Sequence, residues 1–384
     1  MPGRRLPLPP LRVLIWTAGA VALAVVAAFL WRISDARATS STTAPAPAAA
    51  TGSPAGNLSR AWSAAGRPLP DQVVQMGRVI VGSGHGVTAL DPDTGRAAWH
   101  YTRSDVRLCS VTTVDGLVVT AWAPDRRCNE LVALRADTGA YFWTRNVNFR
   151  ADVRLTATEG SVLAVSPTGV VDIDPAGDNI RWRYHSPSGC GLGDAVAGTS
   201  GIALLQSCAG ATAQQVRLLD ASGGTEHWSR DVVVPAGAGA HLAGADGPVT
   251  VQVGDEIQVL AAKDGGVQHT VGLPAGTDRT APAERTAAGA LLVLARGTLY
   301  SLDPSTGAVR WQRPATGLPD TLPSAAAGPP AVLVPEDDGF VAVDPATGKE
   351  RRRLSAPGLP AGGRTAVVGS TVVYRLPGTV LAYR

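Results

Sequence analysis

A twelve-residue phrase recurs along this chain and constrains its fold more than any other feature. Five copies end in Trp: TALDPDTGRAAW at Trp99, VALRADTGAYFW at Trp143, VDIDPAGDNIRW at Trp182, RLLDASGGTEHW at Trp228 and YSLDPSTGAVRW at Trp311. Two degraded copies, QVLAAKDGGVQH and VAVDPATGKERR, end at His269 and Arg352. Successive copies end 44, 39, 46, 41, 42 and 41 residues apart. A nearly constant period of this length, filled with short strands, is typical of the blades of a β-propeller.

Each copy predicts a strand, a turn and a second strand. In the first copy, Pro92 presets φ, Asp91 can bond nearby backbone amides, and Gly95 can take the left-handed conformation that restarts the chain. The same role is predicted for the other turn glycines, Gly139, Gly224, Gly307 and Gly348. The Trp side chains then lie on the outermost strands, where we expect them to fill the wedges between blades rather than to bind a ligand. This structural role is predicted for Trp62, Trp99, Trp143, Trp182, Trp228 and Trp311.

The number of strands predicts how the propeller closes. Strands that precede the turn end near eight positions: Leu90, Leu134, Ile173, Leu219, Leu260, Leu302, Val343 and Tyr383. Strands that follow a turn exist after only seven of these, because the sequence stops at Arg384. The missing outer strand can be residues 57–63 (NLSRAWS), which contain Trp62. The predicted fold class is therefore all-β, an eight-bladed propeller of four-stranded antiparallel blades whose last blade is closed by an N-terminal strand.

The N-terminal region predicts export. Residues 1–12 are basic, and residues 13–31 form an uncharged apolar stretch that would span about 28 Å as a helix, close to the hydrocarbon thickness of a bilayer. We interpret residues 1–12 as cytoplasmic and residues 13–31 as a transmembrane signal anchor, which places the rest outside the cytoplasm at the cell membrane. The alternative is a signal peptide cleaved after Ala36-Arg37-Ala38, which would give a secreted protein.

Between the anchor and the repeats, residues 32–56 are rich in Ser, Thr, Ala and Pro and contain almost no large apolar side chain. Such a composition predicts a linker that holds the propeller, residues 57–384, away from the membrane. The formal net charge is only +3, with both signs scattered along the chain, so nucleic acid is not an expected partner.

The phrase A-L-D-x-x-T-G-x-x-x-W resembles the repeat of the PQQ-like, or quinoprotein-type, β-propeller family, and the match extends over the region after the linker. That family contains dehydrogenases that hold pyrroloquinoline quinone and calcium in the central funnel, and also non-enzymatic scaffolds such as the propeller lipoprotein of the outer-membrane β-barrel assembly machinery. The resemblance therefore implies the fold and leaves the activity open.

Two departures from the dehydrogenases favour the scaffold branch. The chain has no pair of adjacent cysteines, and its eight blades leave almost no residues for the insertions that bury a quinone. Six histidines (His85, His100, His185, His227, His241 and His269) show no metal-ligand spacing. We therefore predict no catalytic, cofactor-binding or metal-binding residue.

Three functions are compatible with these observations. The first is a non-catalytic extracytoplasmic scaffold whose blade loops bind a protein or an envelope polymer. The second is a quinone-binding oxidoreductase or sensor, and the third is a polysaccharide-binding or hydrolytic propeller, which would need paired carboxylates in the channel.

The four cysteines predict two disulfides, since an even number in an exported chain is expected to pair. Cys109 and Cys190 open the innermost strands of two blades, whereas Cys128 and Cys208 lie in connections that lead to the strands before the turn. These connections emerge on one face of a propeller, opposite the Asp-Pro-x-Thr-Gly turns. We therefore predict Cys109–Cys128 and Cys190–Cys208, which clamp that face.

Overall fold

The computed structural model describes residues 10–32, 35–149, 152–275, 280–323 and 329–384. Eight sheets, whose four blade strands pair antiparallel, follow one another along the chain and form an eight-bladed β-propeller, as the repeat predicts.

The N-terminal part consists of α1 (Leu11–Arg32), α2 (Asp35–Ala38), β1 (Thr39–Thr42) and β2 (Arg60–Ala65). Within α1, the 19 residues Leu11–Phe29 are long and apolar enough to cross a membrane, by length and composition. Of the described part of the chain, this is the one helix that meets that standard.

Each blade is formed by consecutive strands, and the first strand of a blade lies at the channel and the last on the outside. The first four blades are β3 (Val74–Gln75), β4 (Arg78–Ser83), β5 (Gly86–Leu90), β6 (Ala97–Arg103); β7 (Arg107–Val114), β8 (Leu117–Ala123), β9 (Glu130–Arg135), β10 (Tyr141–Asn146); β11 (Arg154–Thr158), β12 (Ser161–Ser166), β13 (Gly169–Asp174), β14 (Asn179–His185); and β15 (Cys190–Gly198), β16 (Gly201–Cys208), β17 (Ala213–Leu219), β18 (Glu226–Val233).

The remaining strands follow the same order. They are β19 (Ala240–Gly244), β20 (Val249–Val253), β21 (Glu256–Leu260), β22 (Val267–Gly272); β23 (Ala283–Ala287), β24 (Ala290–Ala295), β25 (Thr298–Leu302), β26 (Val309–Pro314); β27 (Gly317–Leu318), β28 (Asp320–Leu322), β29 (Ala331–Glu336), β30 (Gly339–Val343), β31 (Glu350–Ser355); and β32 (Gly363–Val368), β33 (Thr371–Leu376), β34 (Thr379–Tyr383). Blade 7 consists of β28 to β31, while β27 adds in parallel to β32 of blade 8.

The order of turns gives the propeller two distinct faces. The turns between the third and fourth strands, such as residues 91–96, emerge on one face, which we call the turn face. The connections between blades and the turns between second and third strands emerge on the other. Both disulfides lie there, so we call it the clamp face.

The turns use the chemistry that the repeat predicts. In blade 1, Oδ1 of Asp91 accepts hydrogen bonds from the amide of Thr94 at 2.9 Å and from its hydroxyl at 2.8 Å. Gly95 follows with φ of +68°, which a residue with a side chain rarely adopts. Asp303 accepts the equivalent bond from the Thr306 amide, and Asp344 accepts those from the Thr347 amide and hydroxyl. Hydrogen bonds from Ser305 and Arg310 to Asp303, and from Arg351 and Thr347 to Asp344, hold the pKa of each carboxyl below its usual range.

The repeat Trp connects each blade to the turn of the next. Nε1 of Trp99 donates to the carbonyl oxygen of Ala136 at 3.0 Å, and a Cβ on Gly139 would lie 2.6 Å from the Trp99 ring. The same donation to the second turn residue is made by Trp62 to Pro92, Trp143 to Pro175, Trp182 to Ala221, Trp228 to Ala262 and Trp311 to Pro345. These Trp rings also pack on the turn glycines Gly95, Gly224, Gly265 and Gly348 in the next blade.

Two turns depart from this arrangement. In blade 3 the left-handed position is taken by Asp178, with φ of +56°, in place of glycine. In blade 5 the Trp position is His269, and Gly307 of blade 6 packs on the His269 Cβ and on Val259 instead. The copy of the phrase in blade 5 is therefore degraded at the Trp position, although its four-stranded sheet is still formed.

The core is divided into eight hydrophobic clusters, one between each pair of neighbouring blades. Both faces of a blade are therefore covered, which explains why β8 is buried at every position. The clusters consist mainly of Val, Leu and Ala, so small and medium-sized aliphatic side chains provide the packing.

The predicted closure is present. Strand β2 pairs antiparallel with β34, with Trp62 opposite Ala382, and becomes the outer strand of blade 8. The strand begins at Arg60, slightly later than the predicted segment at 57–63, because Asn57 instead bridges to Ser355 of blade 7. The two ends of the propeller are thus joined by a hydrogen-bonded ladder rather than left as free edges.

The structure differs from the prediction of a free linker at residues 32–56. Strand β1 pairs with the outer edge of β6, with Thr39 opposite Arg103 and Thr42 opposite His100. We call residues 39–56 the strap. After β1 it crosses the turn face, where a Cβ on Gly77 would touch Pro47 at 3.2 Å and one on Gly369 would lie 2.6 Å from the Thr51 carbonyl oxygen.

The strap docks through its backbone, which composition does not reveal. Its carbonyl and amide groups bond partners in several blades: Ala44 to Thr138, Pro45 to Arg78, Pro54 to Arg352 and Gly56 to Ser355. A segment poor in large apolar residues is therefore ordered by main-chain hydrogen bonds and by proline contacts.

Candidate functional site

The first clamp joins two strands of blade 2 at the clamp face. Cys109 lies at a bulge of β7, where the register with β8 shifts between Leu108 and Ser110, and this bulge frees its side chain from the regular ladder. The Cys109–Cys128 disulfide, with a Cα–Cα distance of 5.9 Å, closes a loop of sequence separation 19. Arg126 and Arg127 are exposed at the tip of that loop.

The second clamp lies within the ladder of blade 4. Cys190 pairs directly with Cys208 across β15 and β16, and their Cα atoms are 3.9 Å apart. Cys208 is the last residue of β16, rather than part of the following connection as the sequence suggested. Both pairings are those predicted, and they fasten the clamp-face ends of the inner strands in two of the eight blades.

The innermost strands surround a central cavity of about 720 Å³. Its wall carries charged side chains from several blades, including Arg154 and Glu159 of blade 3, Asp194 of blade 4, and Arg364 and Arg375 of blade 8. A cavity of this volume can hold a small molecule, so its side chains decide which ligands fit.

Ion pairs occupy most of these charges. Arg154 donates to Asp194 at 2.7 Å, and Arg364 and Arg375 lie 3.6 and 4.0 Å from Asp71. Burial raises the pKa of the Asp194 carboxyl, and the Arg154 charge opposes this effect. Asp71 and Asp194 are therefore partnered by Arg side chains of the wall instead of presented together toward a ligand.

Glu284 is the carboxyl whose pKa the fold changes most clearly. It projects from β23 toward blade 5, where Oε1 accepts from the Asp246 amide at 2.7 Å and Oε2 accepts from the Thr250 hydroxyl. A Cβ on Gly244 would lie 2.3 Å from Oε1, so glycine is needed at that position. Burial raises the pKa of Glu284 to about 8. Sequence reasoning missed this residue because a single Glu in an inner strand has no local signature.

The wall does not fit a quinone and its calcium ion. Of the described residues that line the cavity none is aromatic, so a planar quinone ring would have no aromatic surface to stack on there. Calcium takes six to eight oxygen ligands, and no group of three or more His, Cys, Asp or Glu side chains suited to a metal occurs among the described residues.

None of the six histidines is among the described residues that line the cavity. Nδ1 of His85 lies 2.7 Å from the Val106 carbonyl oxygen, and the His100 ring lies between the hydroxyls of Ser40 and Thr42 on the strap. These contacts give His85 and His100 structural partners at the rim of blade 1.

Comparison with known proteins agrees with the fold. The family model described as outer membrane protein assembly factor BamB matches residues 49–168 and 167–332, which is more than half of the chain. The chain therefore belongs to this PQQ-like propeller repeat family. No curated protein matches it in sequence.

Solved structures show the same architecture at low identity. BamB from Moraxella catarrhalis is 16% identical, with a TM-score of 0.51 over 85% of this chain and 99% of that chain. The computationally designed Ika8 protein is 13% identical, with a TM-score of 0.52 over 88% of this chain and 99% of that one. Quinohemoprotein alcohol dehydrogenase from Comamonas testosteroni is 14% identical, with a TM-score of 0.48 over 85% of this chain and 76% of that chain. At these identities the similarity shows the fold alone.

Proposed function

We propose that the chain is a membrane-anchored, non-catalytic scaffold outside the cytoplasm, which binds a protein partner through the clamp face of its propeller. The observation that carries this proposal is the placement of both disulfides on one face. Covalently fastened loops lose less conformational entropy when they bind a partner, which favours association.

The membership in a family that contains BamB supports a protein-binding role, and α1 supports anchoring. The cavity wall weighs against the oxidoreductase alternative, because it offers no aromatic surface for a quinone. It also weighs against hydrolysis by paired carboxylates, because Asp194 is bound to Arg154 and Glu284 is bound to Thr250.

Site-specific photocrosslinking of the full chain in its native membrane tests the binding face. A photoreactive residue at Arg126, on the clamp face of blade 2, should give a discrete crosslinked protein. The matched position is Ser305, exposed in a turn of blade 6 on the turn face. Equal crosslinking from the two positions, or crosslinking from Ser305 alone, would contradict the proposal.

The oxidoreductase alternative has its own test. The purified full chain in detergent is incubated with pyrroloquinoline quinone and calcium, passed through gel filtration and assayed for dye reduction. We expect no stoichiometric chromophore and no dye reduction. A bound chromophore would move the protein into the dehydrogenase branch.

A further inference from the structure

The chain leading from α1 joins the propeller at one defined corner. The Ser104 amide donates to the Ala38 carbonyl oxygen at 2.9 Å, and Thr39 pairs with Arg103, the last residue of β6. Ser104 opens the connection from blade 1 to blade 2, which lies on the clamp face. The membrane-side end of the strap is therefore fixed at the clamp-face edge of blade 1.

Little chain separates this corner from the end of α1. Seven residue steps lead from Arg32 to Thr39, and α2 takes up part of them as a helical turn. With about 1.5 Å per step inside α2 and about 3.5 Å per step outside it, the span is under about 20 Å. The predicted linker of residues 32–56 is thus reduced to a short connection, because the strap itself is docked.

The direction of the strap decides which face can approach the bilayer. From Thr39, β1 runs away from the clamp face, and the strap then crosses the turn face past Gly77 and Gly369. If the turn face lay against the bilayer, the chain would have to pass the docked strap and the length of β6 before it reached Thr39. The seven residues of β6 make six steps that span roughly 20 Å, and the turn before the strand adds to this distance, so the path exceeds the available reach.

We propose that the clamp face is held toward the membrane and that its partner is an integral membrane protein, contacted where that protein emerges from the bilayer. This inference rests on the proposed anchor and on the proposed binding role of the clamp face. A partner bound to this face near blade 1 must fit into the gap between the propeller and the bilayer. The short connection from Arg32 to Thr39 limits the width of that gap. A segment that rises from the same bilayer meets that condition directly.

The charges near the corner favour a protein over the lipid surface itself. Among the described residues at the clamp-face end of blade 2 and in its connections, the exposed charged side chains are Asp105, Asp125, Asp152, Arg107, Arg126 and Arg127. Such a balanced surface has no net attraction for anionic headgroups, which bind clusters of Lys and Arg. It suits hydrogen bonds and ion pairs with polar side chains of a protein segment.

Energy transfer in vesicles tests the orientation. The full chain is reconstituted with a fluorophore at Thr212 on the clamp face of blade 4 or at Ser222 on the turn face of the same blade, both exposed. Acceptor lipids carry the second dye at the headgroup. We expect greater transfer from Thr212, and loss of this difference when about 30 Gly/Ser residues, spanning roughly 30 Å, are inserted before Thr39. Equal or greater transfer from Ser222 in the original chain would overturn the orientation.

The partner class is tested by the fate of the Arg126 crosslink. We expect the crosslinked protein to remain in membranes after alkaline carbonate extraction of a variant in which a cleavable signal peptide replaces residues 1–38, because this variant is still exported and only the partner then provides a membrane span. A product that is released by carbonate, or a lipid adduct in place of a protein, would contradict the inference. A high-salt wash of vesicles that contain the full chain tests the anchor separately from the partner class. If the full chain is washed off these vesicles, the result counts against the proposed anchor alone.

Discussion

The Arg352 guanidinium donates a hydrogen bond to the carbonyl oxygen of Pro54. Arg352 occupies the repeat position that is Trp in six outer strands, where the ring donates to the turn of the next blade. Blade 8 has no such turn, because its third strand ends at Tyr383 and its outer strand is β2. The strap carbonyl therefore takes the place of the missing turn, and a longer donor replaces Trp. Closure of the ring thus uses the strap as well as β2.

The first prediction concerns this contact. Arg352→Ala should lower the free energy of unfolding by about 1 kcal/mol, the usual net contribution of one hydrogen bond. Urea denaturation of the full chain measures the change. The control is Arg60→Ala, an exposed Arg at the start of β2, which should change stability by less than about 0.5 kcal/mol. Equal losses of stability in the two variants would contradict the role assigned to the hydrogen bond from Arg352 to Pro54.

The second prediction concerns the Trp–turn contact. Gly139→Ala should cost about 1 kcal/mol or more because φ is +76°, and a further 1–3 kcal/mol because the new Cβ would lie 2.6 Å from the Trp99 ring. Gly358→Ala separates the two effects, since Gly358 has φ of +73° and nothing within 4 Å of an added Cβ. Thermal or urea unfolding should therefore show the larger loss for Gly139→Ala.

The third prediction is a pH dependence caused by Glu284. Its usual pKa is 4.5, and burial raises the value in the folded state to about 8. Between these pH values the folded state holds a proton that the unfolded state has lost, so stability falls as pH rises, by up to about 1.4 kcal/mol per pH unit. The contribution is fully present below pH 4.5 and lost once pH passes about 8.

Glu284→Gln should flatten that dependence, because Gln stays neutral at every pH. Urea midpoints of the variant and the original chain at pH 5 and pH 8 measure the difference. Glu159→Gln, which removes an exposed carboxyl from the same cavity wall, is the matched control. An unchanged slope in Glu284→Gln would show that this carboxyl is already ionised at neutral pH.

The fourth prediction concerns the clamps. Replacing Cys190 and Cys208 by Ser should lower stability by about 3 kcal/mol in the chain-entropy model for a loop of this length. Replacing Cys109 and Cys128 should do the same and should also weaken partner capture at Arg126 more than the loss of stability explains. The crosslinking yield of this variant is compared with the yield of Gly139→Ala, a substitution that lowers stability without altering the clamp face. If capture falls equally in both, the clamp acts only through stability.

The fifth prediction separates anchor from signal peptide. We expect N-terminal sequencing of the native protein to find residues that precede Thr39, and the protein to remain in membranes after a high-salt wash. Cleavage after Ala38 would produce an N-terminus at Thr39, the first residue of β1, and would leave the strap intact. A soluble form that begins at Thr39 would therefore replace the anchored form without loss of the propeller.

The sequence by itself determined the number of blades, their closure by the strand that contains Trp62, and the two cysteine pairs. Each of these follows from a local, repeated pattern: alternating apolar residues, a turn with Asp and Gly, and a Trp at a constant distance. Because every blade repeats the same local chemistry, spacing alone predicts which residues become neighbours.

Only the tertiary structure decided the course of the strap, the partner of Arg352 and the environment of Glu284. The strap carries no apolar period, and it is held by main-chain groups of residues far away in the sequence, such as Thr138 and Ser355. The pKa of Glu284 depends on Gly244 and Thr250 of the neighbouring blade. Contacts between backbone atoms and single polar side chains leave no period in a sequence, so they become visible only when the blades are assembled.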